Sequence, residues 1–178
     1  MRPRADEIVH SIAWTFDRHI SSDLSDPFSK SLALSISYLL RSVELRIQHE
    51  GPVLWSLNRQ IREPLAAVRD LIGSSTKAGS EPIFVALSQE IDAALNTKYR
   101  EPDDYPTLES VADEAATLRW PLVHAIEALH EHPGLFEASE YQQVREAIQA
   151  YHKQQLEAEA VYVQIRSIEG LDPLAGRV

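Results

Sequence analysis

The sequence predicts an all-α protein, a bundle of about six helices in which three or four long helices form the core. Three observations support this prediction. Apolar residues recur at intervals of three and four along most of the 178-residue chain, which is typical of helices that bury one face. No segment alternates apolar and polar residues as a half-buried strand does. Prolines, glycines and capping residues divide the chain into pieces of helix length.

Proline and glycine set the expected helix bounds in the first half of the chain. Asp26-Pro27 has the form of an N-cap followed by a proline in the first helical turn. Gly51-Pro52 is expected to end that helix and to begin the next, because proline lacks the amide hydrogen that a helix interior needs. Pro64 is expected to kink the third helix.

Capping residues set the expected bounds in the second half. Thr107 can cap a fifth helix, which Pro121 is expected to bend or interrupt. Ser139 and Gln142 form the Ser-x-x-Gln pattern of a capping box, which opens a sixth helix. The six predicted helices cover about 3–22, 27–50, 52–72, 82–99, 107–131 and 139–169.

A single all-helical domain, residues 1–178, is the simplest organisation for a chain of this length. The connector REPDDYP at 100–106 could divide the chain into two helical halves. Short connections elsewhere favour one body.

The chain is acidic, with 17 basic and 27 acidic residues and a formal net charge of −10. This disfavours nucleic acid as the main partner, because polyanion binding needs a basic face that releases counterions. No apolar run approaches the roughly 20 residues that cross a bilayer, so we expect no membrane partner. The absence of cysteine excludes disulfides and zinc–thiolate sites, which fits a cytoplasmic location.

Helical geometry predicts which faces are buried. The first helix is expected to bury Ile8, Ile12 and Phe16. The third carries one clean stripe, formed by Leu54, Leu57, Ile61, Leu65, Val68 and Ile72. The stripe of the fifth is formed by Leu108, Val111, Ala115, Leu118, Leu122, Ala125, Ile126 and Leu129. That of the sixth is formed by Val144, Ile148, Tyr151, Ala158, Tyr162 and Ile165.

The second helix is apolar on two sides. One stripe is formed by Leu32, Ile36, Leu39, Leu40, Val43 and Ile47. Roughly opposite lie Leu34, Tyr38 and Leu45. Such a helix is either central in its own bundle or packs against a partner. In the second case we expect a homodimer whose interface includes Leu34, Tyr38 and Leu45, together with the outward-facing Trp14.

The stretch HAIEALHEHPG, residues 124–134, contains the Glu-x-x-His spacing of di-metal helix bundles at Glu127 and His130. His124, Glu127 and His130 are therefore the metal candidates. Glu127, however, lies opposite the apolar stripe of its helix, whereas the ligands of such a site project into the bundle. The sequence contains no second Glu-x-x-His, and histidines also suit the negative end of a helix dipole. We therefore favour a helix terminus over a metal site and expect no cofactor.

Catalytic motifs such as Gly-x-Ser-x-Gly, a phosphate-binding glycine loop or His-Glu-x-x-His are missing from the sequence. His10 and Asp17 share a face of the first helix, and nothing in the sequence orients them as a dyad. Glu44, Arg46 and His49 are the candidates for ligand binding. Arg46 could hold a carboxylate or phosphate, or could pair with an acid of a neighbouring helix.

Residues 38–65, YLLRSVELRIQHEGPVLWSLNRQIREPL, carry a resemblance to known proteins. The matching features, with Arg2-Pro3 near the start, are Arg41, Glu44, Arg46, Gly51-Pro52, Asn58 and Arg62. Over roughly the first 70 residues the chain resembles uncharacterised all-helical bacterial proteins encoded near acyl-CoA dehydrogenase-like and aminoglycoside-phosphotransferase-like proteins. The resemblance implies a helical accessory protein linked to acyl-CoA or phosphotransfer metabolism, and it supplies no catalytic residue.

These observations leave two hypotheses. The first is a non-enzymatic accessory or protein-interaction module that self-associates. The alternative is a small helical enzyme or ligand- or metal-binding protein that uses histidine and glutamate side chains between helices. The acidic charge, the doubly apolar second helix, the outward-facing Trp14 and Trp120 and the missing catalytic motifs favour the first hypothesis.

Overall fold

The computed structural model describes residues 3–97 and 107–162. All regular structure in these ranges is helical, which confirms the all-α prediction. The α-helices are α1 (Ala5–Thr15), α2 (Pro27–Gln60), α3 (Arg62–Ser74), α4 (Pro82–Leu95), α5 (Leu108–Glu131) and α6 (Ala138–Glu159). A π-helix (Phe16–Ile20) and a 3-10 helix (Ser21–Asp23) follow α1. Within the described ranges, no helix combines the length and apolar character needed to span a bilayer.

The chain comprises two compact units. The N-terminal unit contains residues 1–50 and 159–178, of which 3–50 and 159–162 are described. The central unit contains residues 51–158. Helix α2 contributes to both, since its residues 27–50 belong to the first unit and 51–60 to the second. The connector at 100–106, where the sequence left a division into two halves open, lies outside the described residues.

The predicted break at Gly51-Pro52 is wrong, because α2 continues through both residues to Gln60. A proline in a helix interior costs about 3 kcal/mol. Burial of Leu57 and Ile61, which follow it, contributes about 1.5–3 kcal/mol each and can offset that cost. The chain breaks instead at Ile61, and Pro64 then lies in the first turn of α3, where a missing amide hydrogen is tolerated.

The second half follows the predicted bounds more closely. The Oγ1 of Thr107 accepts a hydrogen bond of 3.1 Å from the Ser110 amide, as expected of an N-cap. Helix α5 runs without interruption past Pro121 to Glu131. Helix α6 begins at Ala138, one residue before the Ser139 that was expected to cap it. The predicted ends of the fourth and sixth helices, near residues 99 and 169, lie outside the described residues.

The hydrophobic core lies in the central unit and joins the end of α2 to α3, α4, α5 and α6. The predicted stripes account for most of it. Its members from those stripes include Leu57, Ile61, Leu65, Val68, Ile72, Leu118, Leu122, Ala125, Leu129, Val144, Ile148 and Tyr151. Helix α4 adds Phe84 and Ile91, which are fully buried. Leu108 and Ile126 were expected in the α5 stripe and are exposed instead.

The N-terminal unit is organised differently. Its buried residues, among those described, are two alanines and two polar residues: Asp6, Ala13, Ala33 and Ser37. The predicted burial of Ile8 and Ile12 is wrong, because these side chains are 46% and 50% exposed. The second-helix stripe, which we name the α2 stripe (Leu32, Ile36, Leu39, Leu40, Val43 and Ile47), is also uncovered. All of its members except the half-buried Leu40 are 42–65% exposed.

Candidate functional site

Helices α1 and α2 of the N-terminal unit lie antiparallel and are joined by polar side chains. At one end, Nε2 of Gln48 lies 3.4 Å from Oδ2 of Asp6. Midway, Nδ1 of His10 lies 3.1 Å from Oε1 of Glu44. At the other end, Asp17 accepts hydrogen bonds from Ser37 and Arg41. The pairing therefore runs in opposite directions along the two helices.

This pairing follows from helical spacing. Residues 6, 10, 13 and 17 of the first helical segment, and 37, 41, 44 and 48 of α2, are separated by three or four positions, which places each set on one face. Burial of the small Ala13 and Ala33 accompanies the contact. Because α1 and α2 contact each other through these polar and small residues, the larger apolar side chains of both helices lie on other faces.

A cleft of about 540 Å³ lies between the two helices. Its lining is formed by His10, Ala13, Trp14, Asp17, Arg18, Arg41 and Glu44. The guanidinium carbon of Arg18 lies 5.2 Å from the centre of the Trp14 ring, within cation–π range. Arg41 Nη2 lies 3.0 Å from Asp17 Oδ2.

The His10–Glu44 pair is the arrangement of an imidazole oriented by a carboxylate, which general acid–base catalysis uses. The His10 side chain, however, is 67% exposed, so water is not excluded from it. The lining of the cleft contains no serine, threonine or cysteine that could act as a nucleophile. The cleft therefore supplies binding groups more readily than a catalytic constellation.

The start of α1 carries a further charged contact. Arg4 donates hydrogen bonds to the Asp6 carboxylate. These bonds hold the pKa of Asp6 below its usual range, and the reciprocal contact raises the pKa of Arg4. Both effects favour the charged forms of the two side chains at neutral pH.

The three predicted ligand-binding residues do not share a site. Glu44 lines the α1–α2 cleft. Arg46 lies on another face of α2, 3.2 Å from Glu50, with its guanidinium carbon 5.7 Å from the ring centre of Tyr162. Burial raises the pKa of the Tyr162 hydroxyl. His49 is half-buried.

The predicted interface residues Trp14, Leu34, Tyr38 and Leu45 lie on one side of the α1–α2 pair, and we name this side the Trp14 face. With about 100° per residue and antiparallel helices, Ile12 and the α2 stripe fall on the opposite side. Trp14 and Leu34 are exposed, whereas Tyr38 and Leu45 are half-buried. The exposure of the α2 stripe was not predicted from the sequence. The available signal was the matching polar spacing of α1 and α2.

The metal candidates lie in the central unit. Nδ1 of His124 lies 3.0 and 3.2 Å from the two carboxylate oxygens of Glu90, and its ring stacks on Trp120 with centres 5.3 Å apart. His124 and Glu127 line a groove of about 280 Å³ beside α4, whereas His130 is not part of that lining. Within residues 3–97 and 107–162, no three histidine, aspartate or glutamate side chains converge in a way that could hold a metal ion.

Comparison of the chain with protein-family models, with curated proteins and with solved structures finds no significant match. The resemblance of roughly the first 70 residues to uncharacterised all-helical bacterial proteins therefore stays a prediction.

Proposed function

We propose that this protein is a non-enzymatic interaction module that self-associates through its N-terminal unit. One observation carries the proposal. Among the described residues of that unit, the large apolar side chains are exposed or half-buried, and the buried residues are small or polar.

Two paired helices with an uncovered apolar face are poorly stabilised alone, because most helical stability in proteins comes from packing such a face. Eleven large apolar side chains of the unit are exposed: Ile8, Ile12, Trp14, Ile20, Phe28, Leu32, Leu34, Ile36, Leu39, Val43 and Ile47. In a stably folded protein, a large contiguous patch of exposed apolar surface marks an interaction site. The contrast with the well-packed central unit supports binding of a partner at the N-terminal unit.

The proposal favours a second copy as the partner, because two-fold homodimers are the commonest oligomers. Sedimentation equilibrium of the untagged full-length chain over a wide concentration range tests it. The expected result is a mass that approaches that of two chains as concentration rises. A single-chain mass at every concentration would overturn self-association. The cytoplasmic location and the accessory role in metabolism stay predictions.

We infer a second candidate function, binding of a small polar molecule, from the α1–α2 cleft. The cleft presents both carboxylates and guanidinium groups beside an aromatic ring. The chain contains three tryptophans, and a variant with Trp55→Phe and Trp120→Phe keeps only Trp14. Saturable change of its emission with a small carboxylate or phosphate compound, lost in Arg41→Met, would support this function. No change with any compound of such a panel would remove it.

A further inference from the structure

The positions of the α2 stripe have an internal symmetry. From Leu32 to Ile47 the successive gaps between its members are four, three, one, three and four residues. The series is the same in both directions, and its centre lies between Leu39 and Leu40. A stripe with this spacing presents the same arrangement of side chains when the helix is reversed.

We propose that the α2 stripe packs against the α2 stripe of a second copy, antiparallel, about a two-fold axis that passes between Leu39 and Leu40. This inference rests on the proposed self-association and adds its face, direction and register. Leu32 then lies opposite Ile47 of the second copy, and Ile36 lies opposite Val43. Leu39 lies opposite Leu40. Such an interface is isologous, because each residue pair occurs twice.

The position of the stripe within the unit supports this register. Residues 27–50 are the part of α2 that belongs to the N-terminal unit, and their midpoint lies within one residue of the proposed axis. The two copies of this part therefore overlap along nearly their full length. A register displaced by four residues would leave two apolar side chains of each stripe without a counterpart in the other.

The exposed surface reaches the lower end of what each partner of a stable dimer buries and the upper end of what a typical monomer leaves open. Together with Ile8 and Ile12, the stripe exposes on the order of 600 Å² of apolar surface, against about 800 Å² buried on each partner of a standard interface and about 300–600 Å² in the largest patch of a typical monomer. Ser31 and Ser35 are exposed and Ser42 is half-buried, and all three lie on the side of α2 between the stripe and the Trp14 face.

These three serines give a direct test of direction and register, because the chain contains no cysteine. Single-cysteine variants Ser42→Cys, Ser35→Cys and Ser31→Cys of the full-length protein are spin-labelled, and distances between copies are measured by electron paramagnetic resonance. With a rise of about 1.5 Å per residue, the proposed axis separates equivalent positions along the helix by about 8, 14 and 26 Å, respectively. We therefore expect the measured distance to increase in the order Ser42, Ser35, Ser31.

Sedimentation of the same labelled samples shows whether a dimer is present and so distinguishes the other outcomes. Equal distances at the three positions in a dimer would mean parallel helices and would overturn the inference. A dimer that keeps this order of distances but is weakened by the Leu34 substitution described below, and not by the Ile36 substitution, would place the interface on the Trp14 face, so that self-association stands and this inference fails. Absence of both dimer and inter-copy coupling would overturn the inference and the proposed function together.

A matched pair of substitutions tests the face independently. Leu34 on the Trp14 face and Ile36 on the α2 stripe are two residues apart and are 40% and 42% exposed. We expect Ile36→Glu to raise the dimer dissociation constant more than about 100-fold, because the charge enters a central contact of both copies. Leu34→Glu should change it less than about threefold. The reverse result would assign the interface to the Trp14 face. Circular dichroism checks that both variants keep their helix content.

Discussion

Arg62 and Glu114 join three helices of the central unit. The Nη2 of Arg62 lies 2.6 Å from Oε1 of Glu114 on α5, and Nη1 donates a hydrogen bond of 2.9 Å to the carbonyl of Leu95 at the end of α4. The side chains are only 28% and 12% exposed, respectively. Asn58 on α2 donates to the same carboxylate at 3.3 Å. A charged pair shielded in this way is held by several hydrogen bonds rather than by charge attraction alone.

We expect Arg62→Met to lower the free energy of unfolding by about 2 kcal/mol, because it leaves a shielded carboxylate and a helix-end carbonyl without a donor. The matched control is Arg69→Met, whose partners Asp70 and Asp92 are at least half exposed. That change should cost less than about 0.5 kcal/mol. Urea unfolding of both variants measures the difference, and equal effects would contradict the structural role of Arg62.

The core of the central unit predicts a second contrast. Leu118 of α5 is completely buried, whereas Leu156 of α6 is 71% exposed. We expect Leu118→Ala to lower the free energy of unfolding by about 2–5 kcal/mol, since it removes buried methyl groups and leaves a cavity. Leu156→Ala should change it by less than about 0.5 kcal/mol. Thermal unfolding under one set of conditions compares the two, and similar losses would mean that Leu156 is covered in solution.

The core of the central unit could be predicted from the sequence because its helices carry one stripe each. Leu57, Ile61 and Val68 recur on one face of the chain, and no other face offers a competing apolar set. Local spacing then decides burial by itself. Helical spacing also places Glu127 away from the core, and this side chain is exposed.

The N-terminal unit could not be predicted in this way, because its helices pair through polar residues. The contacts of His10 with Glu44 and of Asp17 with Arg41 join positions far apart in the sequence. The positions of apolar residues within one helix carry no information about such polar contacts between helices. The helix break predicted at Gly51-Pro52 was wrong for a similar reason. It rested on the low helix propensity of glycine and proline and took no account of the burial of the residues that follow.

The Asp26 carboxylate predicts a dependence of stability on pH. It caps α2, accepting hydrogen bonds of 2.8 Å from the Ser29 amide and 2.9 Å from the Ser29 hydroxyl, and these bonds lower the pKa of Asp26. Because the folded pKa lies below the unfolded value of about 3.9, the stabilisation is present above that value. It is lost as pH falls through the folded pKa.

The Asp26→Asn variant keeps a capping oxygen but does not titrate, so it is the matched reference. We expect the stability difference in favour of the native protein to shrink as the solution is acidified below about pH 4. Urea unfolding of both proteins at a series of pH values measures this difference. A difference that stays constant across the acid range would show that the Asp26 carboxylate gains nothing on folding.

Metal analysis tests the assignment of His124 and Glu127. Since His124 pairs with Glu90 and His130 is not part of the same groove, we expect only trace iron, manganese and zinc in untagged protein purified without chelator. Inductively coupled plasma mass spectrometry makes the measurement. Near-stoichiometric metal that disappears in His124→Ala would contradict the pairing with Glu90 as the main role of this histidine.

Self-association also predicts that the N-terminal unit gains thermal stability with protein concentration, because binding of a second copy stabilises the folded state by mass action. In the variant with Trp55→Phe and Trp120→Phe, Trp14 reports on that unit; it lies on the Trp14 face, away from the α2 stripe. We expect the midpoint of its unfolding transition to rise by about 2–5 °C for each tenfold increase in concentration.

The control is Trp120, followed in a variant with Trp14→Phe and Trp55→Phe. Its unfolding midpoint should shift less, since the central unit has its own core. A Trp14 midpoint independent of concentration would mean that the exposed apolar side chains of the N-terminal unit are not covered by a second copy.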